Sequence, residues 1–96
     1  MIKLECTVKN PDGVHARPAG CLRALAKEFN CQILLRKDDS DDYCDASNVL
    51  SVMTKNFKCG DNVLVQVISK SDKPVNEFEF VTKLKSIFGE KYEDKS

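Results

Sequence analysis

Residues 2 to 8 alternate strictly, with Ile2, Leu4, Cys6 and Val8 on one side of the chain and Lys3, Glu5 and Thr7 on the other. A period of two predicts a half-buried strand, and a sheet wet on one face is normally antiparallel. From about Ala16 to Phe29 the period lengthens: Ala19, Leu22, Leu25, Ala26 and Phe29 recur at helical spacing, predicting an amphipathic helix whose stripe faces the core. Alternation returns in Cys31, Ile33 and Leu35, a second strand over residues 31–36, and a third strand is expected from about Tyr43 to Ala46. A short helix with Val49, Leu50, Val52 and Met53 comes next, too brief to stand without tertiary contacts. A fourth strand sets Val63, Val65 and Val67 against Leu64, Gln66 and Ile68. Pro74 is expected to open a last helix with a core stripe of Val75, Phe78, Val81, Leu84 and Phe88, ended by Gly89. The element order predicts an α+β domain, one antiparallel sheet covered on one face by helices. Residues 1–89 are expected to form that single domain and residues 90–96 a frayed tail.

Composition narrows the function. Lysine plus arginine and aspartate plus glutamate number 15 each, so no excess of charge points to nucleic acid or to an anionic membrane. No apolar run approaches the roughly twenty residues of a spanning helix, and the N-terminus reads as a strand rather than a leader, which predicts a cytoplasmic protein with no direct membrane insertion. The five cysteines, Cys6, Cys21, Cys31, Cys44 and Cys59, form no CxxC pair and have no nearby histidine, so neither a metal nor a cofactor is expected. They read as reduced thiols used as small buried hydrophobes. Cys21 is the exception, four residues after Arg17 and on the same side of the first helix. The acidic run Asp38-Asp39-Ser40-Asp41-Asp42 lacks the glycine and closing glutamate of a calcium loop and reads as a solvated hairpin.

The chemistry concentrates in Gly13-Val14-His15-Ala16-Arg17-Pro18-Ala19-Gly20, which holds the only histidine of the chain. The turn Asn10-Pro11-Asp12-Gly13 delivers His15 to the start of the first helix, where it is expected to be the N-cap. Imidazole is nucleophilic and largely neutral near pH 7, so it can take a phosphoryl group without activation by a strong base. The first-turn N–H groups of Ala16 and Arg17 would face the new charge, Pro18 having none to offer, and the helix dipole adds roughly +0.5 charge at that end. Arg17 can close on the same oxygens with a planar pair of donors. A lone histidine ahead of a helix also serves as a cap or as a solvated surface group, and spacing by itself favours that plainer role.

The run GVHARPAG resembles the active-site signature of HPr, the histidine-containing phosphocarrier of the bacterial phosphoenolpyruvate-dependent sugar phosphotransferase system. The likeness extends to about Phe88 and includes Ala46-Ser47-Asn48-Val49-Leu50-Ser51-Val52-Met53, similar to the short middle helix of that family. It implies an open-faced β-sandwich: a four-stranded antiparallel sheet with three helices on one face. It implies that His15 accepts phosphate, on Nδ1, from Enzyme I and gives it to IIA components of sugar permeases, that Arg17 stabilises it, and that the protein is a monomeric carrier rather than an enzyme. Ala16, Cys21, Val49, Leu50 and Met53 would meet the partners. Many members cap the middle helix with a serine that an ATP-dependent kinase phosphorylates; the matching position here is Asn48, which caps equally well and cannot be phosphorylated. The residues leave open a regulatory, nitrogen-type phosphohistidine module uncoupled from sugar uptake. A free-standing enzyme with His15 as general base would need a companion acid or nucleophile that the motif does not supply.

Overall fold

The computed structural model describes residues 2–70 and 76–90. The elements run β1 (Ile2–Thr7), α1 (Ala16–Glu28), β2 (Cys31–Lys37), β3 (Cys44–Asp45), α2 (Val49–Thr54), β4 (Asn62–Ser69) and α3 (Glu77–Ile87). The strands form one antiparallel sheet in the order β1-β4-β2-β3, with Leu4 opposite Val65 and Ile33 opposite Val67. This register puts Cys6, Ile33, Leu35, Val63, Val65 and Val67 on one buried face, under the helices, and leaves Leu34, Leu64, Gln66 and Ile68 half-buried on the other. α1 lies between α2 and α3 and packs against both. Its stripe of Ala19, Leu22, Leu25 and Ala26 is buried as the periodicity requires, and Phe29, its C-cap, meets Phe80 edge to face at 5.3 Å between ring centroids. The architecture is the α+β open-faced sandwich that both the element order and the resemblance imply.

Four expectations need correction. β3 is only Cys44–Asp45, so Tyr43 and Ala46 flank it, although the Ala46 N–H still donates to the Ile33 carbonyl at 2.9 Å. α3 is capped by Asn76, whose Oδ1 accepts the Glu79 N–H at 3.1 Å; the opening expected at Pro74 and the stripe position Val75 lie outside the described residues. Phe78 is 52% exposed because it sits about 120° around the helix from Leu84. Phe80 takes its place in the stripe with Leu84 and Phe88. Cys59, expected to be buried, is exposed beside the turn that Gly60 makes at φ +96°.

Glu90, assigned to the tail from the sequence, is held to the rest of the molecule. Glu90 Oε1 accepts the Thr7 N–H at 3.0 Å, and Glu90 pairs with Lys85 at 3.1 Å while Lys85 Nζ also donates to the Glu5 carbonyl at 3.1 Å. The Lys9 N–H donates to the Phe88 carbonyl at 2.7 Å. The last turn of α3 is thus sewn to the outer side of β1. Residues 91–96 lie outside the described residues.

Candidate functional site

The site is built by the loop between β1 and α1. Its turn closes where the Gly13 N–H donates to the Asn10 carbonyl at 3.0 Å, and Gly13 then takes φ +70°. Only glycine fits there: a Cβ at Gly13 would stand 2.3 Å from the Phe57 carbonyl oxygen. That same oxygen accepts the Val14 N–H at 2.9 Å, and Val14 is buried in the core. With Gly13 and Val14 held against the segment after α2, the next residue, His15, emerges into solvent.

His15 is the N-cap of α1, extended at φ −98° and ψ −160°, and its carbonyl accepts the Ala19 N–H at 3.0 Å. Its imidazole makes no capping hydrogen bond, so the ring is not engaged in holding the helix. The N–H groups of Ala16 and Arg17 have no acceptor among the described residues, and no acidic side chain occupies the first turn. His15, Ala16 and Arg17 are all exposed, whereas Pro18 and Ala19 are buried and anchor the turn beneath them. The result is a surface ledge with two unpaired amides, a guanidinium and an imidazole at one helix start, an arrangement suited to an anion.

An open cleft of about 390 Å³ gathers His15, Arg17 and Cys21 with Asn10, Pro11 and Asp12 of the loop and with Ser86 and Ile87 of α3. Cys21 therefore does share the site's surroundings. Asn10 and Asp12 belong to the turn that the sequence places ahead of His15, whereas Ser86 and Ile87 at the end of α3 are not legible there because no local pattern joins residues so far apart along the chain. Among the described residues no group of three or more histidine, cysteine or acidic side chains could hold a metal ion.

α2 forms the other flank. Asn48 caps it, Oδ1 accepting the Ser51 N–H at 3.1 Å, and the preceding Ser47 N–H is held by Asp45 Oδ1 at 2.9 Å. Val52 is buried, Val49 packs partly on the core, Leu50 is 72% exposed and Met53 38%. Leu50 and Met53 are thus the apolar side chains that α2 leaves exposed.

An α+β sandwich with one sheet face open and a lone exposed imidazole at a helix start belongs to the class of small histidine-bearing carrier domains. The model of a family described as the PTS HPr component phosphorylation site matches residues 2–88. The chain belongs to this HPr phosphocarrier family of the phosphotransferase system. Solved structures agree. HPr-C-His from Thermoanaerobacter tengcongensis is 27% identical with a TM-score of 0.69, the match covering 96% of this chain and 100% of the other. A histidine-containing phosphocarrier protein from Mycoplasma is 20% identical with a TM-score of 0.68 over 90% of each chain. HPr from Bacillus anthracis is 19% identical with a TM-score of 0.68 over 90% of this chain and 94% of that one. No curated protein matches the chain.

Proposed function

We propose that His15 accepts a phosphoryl group from phosphorylated Enzyme I and passes it to the IIA component of a sugar permease. The observation that carries this reading is the unengaged imidazole at the N-cap of α1, beside two amides without acceptors and the Arg17 guanidinium. A ring nitrogen attacks phosphorus in line; the new N–P bond forms as the donor's N–P bond breaks, and that electron pair returns to the donor's imidazole. The phosphoryl oxygens then lie against the Ala16 and Arg17 N–H groups, and Arg17 spreads over the charge that develops on them. Transfer onward is the same step with the carrier as leaving group. An exposed ledge suits this task, because two macromolecular partners must each bring a reacting group to the same nitrogen. Val49, Leu50 and Met53 of α2, with Ala16 and Cys21 of α1, form the docking surface in this reading. No cofactor is needed on the carrier, which acts in the cytoplasm as a monomer.

Incubation with phosphoenolpyruvate, magnesium for the donor and a bacterial Enzyme I tests the proposal. One alkali-stable, acid-labile phosphate per chain is expected, absent from His15→Ala and discharged by a sugar-type IIA protein. Discharge by a nitrogen-type IIA protein alone would move the chain to regulation, and phosphate retained in His15→Ala would overturn the reading.

A further inference from the structure

We propose that Asn10 is a positioning residue, fastening the loop that carries His15 to the C-terminal end of α3 and covering a helix carbonyl that would otherwise face the phosphoryl group. The inference rests on the phosphocarrier reading of His15. Asn10 Nδ2 donates to the Ile87 carbonyl at 2.9 Å, across 77 positions of sequence, while the backbone carbonyl of Asn10 accepts the Gly13 N–H. One residue therefore joins α3 to the turn that sets His15. The anchor is itself fixed, since Lys9 donates to Phe88 and Glu90 holds Thr7. Gly89, at φ +83°, completes the fit: a Cβ there would stand 2.6 Å from Asn10 Oδ1 and 3.1 Å from the Asn10 nitrogen.

The electrostatics supply a second reason. α1 presents its positive end to the cleft, but Ser86 and Ile87, which line the same cleft, come from the negative end of α3, where the Gly89 N–H covers the Ser86 carbonyl at 3.0 Å and no backbone N–H among the described residues covers that of Ile87. A phosphoryl dianion on His15 would be repelled by a bare carbonyl there. The Asn10 amide turns the Ile87 carbonyl into a satisfied acceptor and sets the loop's distance from it.

Asn10→Ala removes the donor, Asn10→Asp replaces it with an acceptor, and Gly89→Ala drives a methyl group into an intact Asn10. Each is assayed as the substrate of Enzyme I, with the final phosphate stoichiometry and the thermal midpoint measured beside the rate. A misplaced acceptor lowers kcat by roughly 10- to 100-fold. KM for Enzyme I and the final stoichiometry stay near wild type, whereas a merely structural role lowers stoichiometry with the folded fraction. The Ala16 and Arg17 amide resonances of unphosphorylated Asn10→Ala are expected to shift. Wild-type kcat in folded Asn10→Ala, with unmoved amides, would overturn the inference; if Asn10→Ala fails to fold, Gly89→Ala decides by the same two readouts. Should the wild-type chain take no phosphate at all, the phosphocarrier reading falls, and the amide shifts alone still decide whether Asn10 sets the loop.

Discussion

Arg17 and Gly13 serve the same histidine through different physics. The Arg17 side chain is exposed and no ion pair holds it among the described residues, so Arg17→Ala is expected to change stability by at most about 0.5 kcal/mol. Its effect belongs to the transition state: phosphoryl transfer to His15 should slow by roughly 10²- to 10³-fold, read as the initial rate with Enzyme I. Gly13 is the converse. A methyl group there meets a backbone carbonyl that cannot swing away, because Val14 already bonds to it, and φ +70° adds strain. Gly13→Ala is expected to cost about 1–3 kcal/mol in chemical denaturation and to move the loop with it.

At the scale of elements, α2 depends on its cap. It is six residues long, and Asn48 satisfies the Ser51 N–H. Asn48→Ala should lose about 1 kcal/mol in a denaturant titration, while Asn48→Ser should lose only a few tenths. Asn48→Ser would also supply the missing hydroxyl: an HPr-directed, ATP-dependent kinase is expected to place acid-stable phosphate on that variant and none on the wild-type chain. Acid-stable phosphate on wild-type Ser47 would show that the likeness at α2 is offset by one residue. β1, α1 and this cap were legible in the sequence because each is a local pattern: alternation, a helical stripe, an asparagine before an apolar run. α3 shows how local signals compete. Pro74 and the stripe through Phe78 suggested one start, whereas Asn76 followed three residues later by Glu79 is the capping arrangement the helix uses. Of the site, His15, Arg17, their amides and the Asn10–Gly13 turn could be read from one short stretch; Ser86 and Ile87 could not, since only the docking of α3 against the loop brings them there.

For the whole molecule, the core is closed by three thiols as well as by hydrocarbon. Burial pushes Cys6 up to about 12 and Cys44 up to about 11, and raises Cys31 as well. In the unfolded chain these thiols ionise near their ordinary value of 9.0, so above that pH the unfolded state sheds protons that the folded state retains. The contribution of Cys6 and Cys44 is therefore complete below about pH 9 and is lost as pH rises toward 12 and 11 respectively, by about 1.4 kcal/mol per pH unit for each of these two thiols, measurable as falling denaturation midpoints in that window. A thiol reagent at neutral pH should label Cys21 and Cys59 quickly and the other three only on unfolding.

The stitching of Lys85 and Glu90 onto Glu5 and Thr7 reaches further than the loop it steadies. It occupies outward-facing backbone groups of one border strand, and at the opposite border β3 spans just two residues. Neither rim offers a long template onto which a stray polypeptide could zip. Edge-to-edge pairing between copies is therefore expected to be disfavoured. Reversing the charge in Glu90→Lys should unseal that rim, and light scattering should then show the average particle growing with concentration.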